Sequence, residues 1–413
     1  MTISAHSGCS PASDPIIPGG AIKPKLMPSQ HRINVSSGRP LEGLAHYSRA
    51  LRVGAVVLQS GTTAIDREGN VLGDTVTAQI EAILKLARDS MGAAQGVFED
   101  VVRARLYVTD NTVLDEAGRA FDRAFAGINP AIMLVPICQL ARPAQLIEIE
   151  LEAVDGAAAT AQHIDASECV DYGTGAVVVG GRILVGGIAS SSTSATAQTD
   201  QALNAVLSLL DRAGGTSDDL VGIKFFVTDI SRSAEIISRA GSILGSVKPT
   251  VTIIGIPPLL DAEVGLIVEA EGVIGAGRRR LNTPHPRFPA FSRSVCVDEH
   301  IYLSNFEPLN ESASVQHAGD WAAQIDYCIE NLGSTLEQLG ASLDDVVMRR
   351  FFTRAGAEMN RVYGEGPGWF AATRPTALGC RIVSHLDDES LISVEAHALR
   401  GAGENIDWRT IDV

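Results

Sequence analysis

The residues best placed to do chemistry are carboxylates in alternation. In Leu146-Ile147-Glu148-Ile149-Glu150-Leu151-Glu152, apolar and acidic side chains alternate with the two-residue period of a β-strand, so one face is apolar and the other carries three glutamates. A carboxylate in a partly apolar cleft has its pKa raised by burial and suits the activation of water; Glu148 is the candidate. Glu150 recurs as Glu269 and Glu395 in two similar runs. Three carboxylates around one axis repel, so each calls for an arginine, a cation or a proton. Arg103, Arg105, Arg349 and Arg350 are the expected partners, and no histidine accompanies the glutamates as a metal ligand would. His46, His385 and His397 read as isolated surface or core histidines. Thr109-Asp110 and Thr228-Asp229 end strands, where capping of the next helix explains them. Cys138 and Cys380 have no paired base nearby in sequence and are not read as nucleophiles.

These residues recur in register. Fifty-one residues separate Gln79 from Pro130, Gln198 from Pro249 and Gln324 from Pro375, and twenty more lead to Glu150, Glu269 and Glu395. Such fixed-period self-similarity marks one domain repeated three times. The expected boundaries are a flexible arm at 1–30, repeats at 31–157, 163–276 and 281–401, and a tail at 402–413, with repeats of about 110 to 120 residues, each long enough to bury a core.

Each repeat should open with a strand pair around a turn, at Gly54, Gly180-Gly181 and Asp298-Glu299. A helix follows, in the first copy Thr77 to Met91 with Ile80, Ile83, Leu84, Ala87 and Met91 at helical spacing. Next come a strand (Val101 to Val108), a second helix (Leu114 to Ala126) and a closing strand pair (Ala131 to Ile137, Leu146 to Val154). The helices cover the apolar face of such a sheet, and three sheets in one chain can close their acidic faces against one another.

A formal charge of −16, from 33 Lys+Arg against 49 Asp+Glu, argues against nucleic acid or an anionic membrane as partner. The six cysteines show neither metal-ligand spacing nor a disulfide framework, which fits a reducing cytoplasm. No apolar run approaches the ~20 residues of a membrane helix, and the arm lacks the apolar core of a signal peptide. No glycine-rich phosphate loop or lysine-centred motif appears, so no cofactor is indicated.

His46-Tyr47-Ser48-Arg49-Ala50, the Gln79 helix, Val101-Val102 through Val108-Thr109-Asp110, Asn129-Pro130-Ala131 and Leu146-Ile147-Glu148-Ile149-Glu150 together resemble the Rid family of reactive intermediate deaminases, also called the YjgF family. The resemblance spans about Arg32 to Arg400 and is weakest in the second repeat. It implies an α+β fold of three tandem β-β-α-β-α-β-β domains (chorismate mutase-like) packed as an intramolecular pseudo-trimer, with clefts where repeats meet. It assigns Glu148 to positioning water, while the other copies have Ile267 and Ser393 there. It matches the family's first-strand tyrosine with Tyr47 and Tyr172, the third copy having Phe291, and the Asn-x-x-Tyr of the second helix with Asn360 and Tyr363. The arginine that clamps a substrate carboxylate is replaced by Ile132, Val251 and Ala377. Arg381, four residues beyond Ala377 on the same strand face, is a substitute about 13 Å along.

The expected function is therefore a cofactor-independent hydrolase acting on a small imine, enamine or related C–N substrate in one inter-repeat cleft. Glu148 and Tyr47 would be catalytic, and Arg381, Asn360, Tyr363 and Tyr172 substrate-binding. Two alternatives stay open: hydrolysis or lyase action on a carboxylated ring compound, as in chorismate-hydrolysing enzymes of similar fold, and ligand binding or chaperone-like action without turnover. The expected partner is a small molecule, and pairing of pseudo-trimers into a larger homo-oligomer is left open.

Overall fold

Gly54 (φ 56°), Gly180 (56°), Gly181 (80°) and Asp298 (54°) adopt the left-handed backbone that a tight hairpin turn demands, at one hairpin in each of three copies of the same element order. The computed structural model describes residues 30–412 except 167, 171 and 355–366. The first copy comprises β1 (His31–Ser36), α1 (Pro40–Leu44), β2 (Ala50–Val53), β3 (Val56–Thr62), α2 (Val76–Ala93), β4 (Val101–Val108), α3 (Leu114–Ala124), β5 (Ala131–Pro136) and β6 (Ile147–Val154). The second runs α4 (Ala157–Thr160), β7 (Gln162–Ile164), β8 (Ala176–Val179), β9 (Arg182–Ser191), α5 (Ala195–Arg212), β10 (Leu220–Val227), α6 (Ser233–Leu244), β11 (Thr250–Gly255) and β12 (Val264–Val273). The third has β13 (Leu281–Pro284), β14 (Ser292–Val297), β15 (His300–Leu303), α7 (Trp321–Gln338), β16 (Val346–Arg354), β17 (Thr376–Ile382) and β18 (Ile392–Leu399); β19 (Asn405–Thr410) follows. Among the described residues no helix is long and apolar enough to cross a membrane.

In the first copy α2 begins at Thr75, whose side chain accepts a hydrogen bond from the Ala78 amide at 3.2 Å, and it lays Ile80, Ile83, Ala87 and Met91 on Ile147, Ile149 and Leu151 of β6. Aliphatic residues at helical spacing thus meet aliphatic residues at strand spacing. Gln79 explains part of the repeat: its amide nitrogen donates to the Ala144 carbonyl at 2.8 Å and its oxygen accepts from the Leu146 amide at 2.8 Å. Gln324 does the same to Glu389 and Leu391 (2.7 and 2.8 Å), and Gln198 donates to Glu263 (2.9 Å). The recurrent glutamine therefore fastens each first helix to the loop before the last strand.

The recurrent proline joins the copies. The Thr174 amide donates to the Pro130 carbonyl at 3.2 Å, Ser292 to Pro249 at 2.9 Å and Ser48 to Pro375 at 3.2 Å. Ser304 and Ser60 brace two of these junctions by accepting from the Val251 and Ala377 amides (2.8 and 3.0 Å). At the third, Gly186 replaces the serine, and any side chain there would come within 3.0 Å of the Ile132 carbonyl. Each copy thus touches the other two, and β11 pairs with β14 to merge copies two and three into a twelve-stranded sheet. The first copy forms a seven-stranded sheet, whose edge strand β1 is covered by parallel pairing with β19 from the expected tail.

The acidic faces meet inside this ring. Arg105 binds Glu269 of the second copy (2.7 Å), Lys224 binds Glu395 of the third (2.6 Å), and Arg350 binds Glu150 of the first (2.7 Å). The three cations hold one position on equivalent strands, so the ion pairs close a circle. Arg103 joins a second group, in which Arg182 contacts Glu152 and Glu271 at 2.6 and 2.7 Å. Arg349, an expected partner, instead donates to the His46 carbonyl at 3.2 Å. His397 is not isolated, since its ring lies 3.2 Å from His300. Around the ions, Tyr107, Met133, Phe226, Ile254, Phe352 and Cys380 from all three copies form one apolar cluster.

Candidate active site

Glu148 lies where the third copy meets the first. β6 holds it opposite Tyr107 of β4, on the face turned inward, and only 8% of it is exposed. The carboxyl lies against Gly61, where a side chain would collide with it and with Leu378 of the third copy. Glu148 makes no hydrogen bond or ion pair with any described residue, unlike Glu150 and Glu152 on the same face.

Its electrostatics follow from that isolation. Burial pushes the Glu148 carboxyl up to about 8, Glu150 adds to the rise and Arg49 opposes it. Arg49 cannot offset burial because Glu42 already holds it at 2.9 Å, and Glu42 is itself fixed by the Ser37 amide (2.8 Å) and the Ser36 hydroxyl (2.7 Å). Near neutral pH Glu148 is therefore largely a neutral acid that can give a proton and take it back.

Tyr47 lies within the same electrostatic neighbourhood. Its hydroxyl is raised by burial, lowered by Arg49, and raised again by Glu42 and Glu148; it stands 3.5 Å from the Arg49 guanidinium. Cys380 is pushed well up by burial and by Glu148, so it is a thiol rather than a nucleophilic thiolate. Arg381 reaches the Gln139 side-chain oxygen at 2.6 Å, stitching the third copy to the first. Asn360 and Tyr363 lie outside the described residues.

Tyr172 sits elsewhere, at the equivalent cleft between copies one and two, where its hydroxyl donates to Asp115 at 2.6 Å. A cavity of about 640 Å³ opens there, with Ile267 in the place of Glu148. The cleft between copies two and three encloses only about 10 Å³. It holds a carboxyl that the sequence reading missed: Glu307, 5% exposed, which burial lifts to about 7, with Arg287 pulling it down and Asp387 pushing it up. Its one signal is a glutamate directly after Asn305-Phe306, where the first copy has Gly61-Thr62-Thr63.

Comparison with known proteins bears on the family and the fold. The family model for endoribonuclease L-PSP matches residues 38–155 and 282–400, the first and third copies. The 3-aminoacrylate deaminase RutC of Acinetobacter baylyi is 34% identical over 119 residues, covering 28% of this chain and 90% of that protein. A RutC family protein of Pyrococcus abyssi is 32% identical over 120 residues, 28% of this chain and 91% of its own. Among solved structures, a chorismatase aligns over 73% of this chain and 93% of its own with a TM-score of 0.51 at 14% identity, a likeness of fold.

Proposed function

Since the chain belongs to the endoribonuclease L-PSP family, the Rid or YjgF family of the sequence resemblance, we propose that it is a cofactor-independent hydrolase of a small imine or enamine, working in the cleft between the third and first copies. The observation that carries this reading is Glu148, a buried carboxyl without a partner among the described residues, raised to about 8. A protonated Glu148 gives its proton to the nitrogen of an imine, or to the β-carbon of an enamine, and either way the carbon bonded to nitrogen becomes electrophilic. The carboxylate so formed takes a proton from the water that adds to that carbon. The carbinolamine then collapses to a carbonyl compound and ammonia, and Glu148 is again protonated. One group acting as acid and then as base is worth about 10² to 10⁴ in rate. Tyr47 is the nearby hydroxyl for orienting substrate or water.

The cleft also bears on the substrate. Ala377 stands where a carboxylate-binding arginine would, and Arg49 is engaged by Glu42. A substrate carboxylate would meet no free cation among these groups, so the reading favours uncharged imines. The carboxylated-ring alternative depends on Arg381, whose guanidinium is engaged by Gln139. Two imines generated in situ test the assignment: 2-iminopropionate from an amino-acid oxidase, and an uncharged aldimine from an amine oxidase. Ammonia release above the spontaneous rate, greater for the uncharged imine and lost in Glu148→Gln, supports it; no acceleration of either contradicts it.

A further inference from the structure

The cleft between copies one and two has the shape of a ligand site and the wrong residues for hydrolysis. Its floor is apolar and drawn from both copies: Ile132 and Leu134 on β5, Ala189 on β9 and Ile267 on β12. Its volume, about 640 Å³, lies within the roughly 300 to 1,000 Å³ of small-molecule pockets. The rim is acidic, with Asp115, Asp122 and Asp261 against Arg119, on a chain of formal charge −16. Asp115 is held by Tyr172 (2.6 Å) and by Arg119 (2.8 Å at Nε), so its carboxylate is fixed at the border between floor and rim.

The cleft is also built, rather than left over. Gly118 lies inside α3, where glycine costs about 1 kcal/mol relative to alanine, and any side chain there would occupy the space of the Tyr172 ring. The glycine lets the tyrosine of the second copy lie flat on a helix of the first. Asn111 spans the opening by donating to the Pro258 carbonyl at 2.9 Å. With Ile267 in place of the glutamate, a bound molecule meets neither acid nor base at that position.

We propose that this cleft binds a small amine with an apolar body and does not convert it: the body rests on Ile132, Leu134, Ala189 and Ile267, and the ammonium faces Asp115, Asp261 and the Tyr172 ring. The acidic rim attracts a cation and repels a carboxylate, and an ammonium over an aromatic face gains further attraction. The inference stands whether or not the Glu148 cleft hydrolyses imines.

Isothermal titration of the full chain with 2-phenylethylamine, 2-phenylethanol and 3-phenylpropionate tests it. The amine should bind saturably and at least tenfold more tightly than the carboxylate, with the alcohol between them. Ala189→Trp, which fills the floor, should abolish amine binding, whereas Glu148→Gln should leave it unchanged; if Ala189→Trp unfolds the protein, Val264→Trp at the same cleft replaces it. Asp115→Asn with Asp261→Asn should bring the amine to the level of the alcohol. Absence of saturable binding, equal or tighter binding of the carboxylate, or amine binding that survives the filled cleft and vanishes in Glu148→Gln, would each overturn the proposal.

Discussion

Glu148 and Ile267 occupy one position at two equivalent junctions between copies, and the difference between them shows how far a repeated scaffold diverges at a single place. In the first, Gly61 leaves room for a carboxyl and Glu42 holds the neighbouring Arg49, so among the described residues a buried acid stays unpaired. In the second, Gly187 takes the place of Gly61 and Tyr172 that of Tyr47, but an isoleucine fills the acid's position and the floor is aliphatic. Three identical chains would carry three identical clefts. A fused chain lets each diverge while the ion-pair circle and the proline junctions hold the frame.

The largest expected effect comes from erasing the difference at its source. Glu148→Gln should lower imine-dependent ammonia release by about 10² to 10⁴, the range for loss of a general acid or base, with its melting temperature retained. Loss of fold in place of loss of rate would break the comparison. The ring that carries both clefts should be nearly as sensitive. Arg105→Met leaves Glu269 with Lys224 alone, at 3.3 Å, and breaking a buried pair costs about 3 to 5 kcal/mol, measurable by denaturant unfolding.

Putting an acid into the other cleft sharpens the contrast. Ile267→Glu buries a carboxyl in an aliphatic floor, so stability should drop by about 1 to 3 kcal/mol, and more at pH 8 than at pH 5, where the new acid is closer to neutral. In the wild type the sign is the same for Glu148. Its pKa is higher folded (about 8) than unfolded (4.5), so the folded state binds more protons between those values and stability declines as pH rises through that window. Glu148→Gln should flatten this decline, and wild-type turnover should fall as pH passes about 8. At the bottom of the scale, Arg119→Ala breaks an exposed helix pair with Asp115, where solvent screens the attraction, and should leave the melting temperature almost unchanged, with no effect on turnover.

Much of the frame was legible in the sequence because its recurrent residues act on the backbone. Gln79, Gln198 and Gln324 fasten loops, and Pro130, Pro249 and Pro375 offer carbonyls across junctions, so their spacing cannot drift. The alternation in β6 likewise announced a buried acidic face, and its arginine partners were expected, though not that each reaches into the next copy. The site was less legible. Glu42, which engages Arg49, lies on a five-residue helix with no periodicity to mark it. Glu307 owes its raised pKa to burial against the second copy, and His397 its neighbour His300 to a strand pairing; neither environment is written in local sequence. Tyr172 matched Tyr47 by position, yet the order of the copies around the ring sends it to the other cleft.

Carbon-13 NMR of protein labelled at the glutamate side-chain carboxyl carbons tests the central claim most directly, followed from pH 4 to pH 10 in wild type and in Glu148→Gln. A resonance titrating near 8 that is missing from the variant is the predicted result. A Glu148 resonance titrating near 4.5, the ordinary value, would mean that a cation or solvent reaches the carboxyl, and would contradict the account of a poised, unpartnered acid.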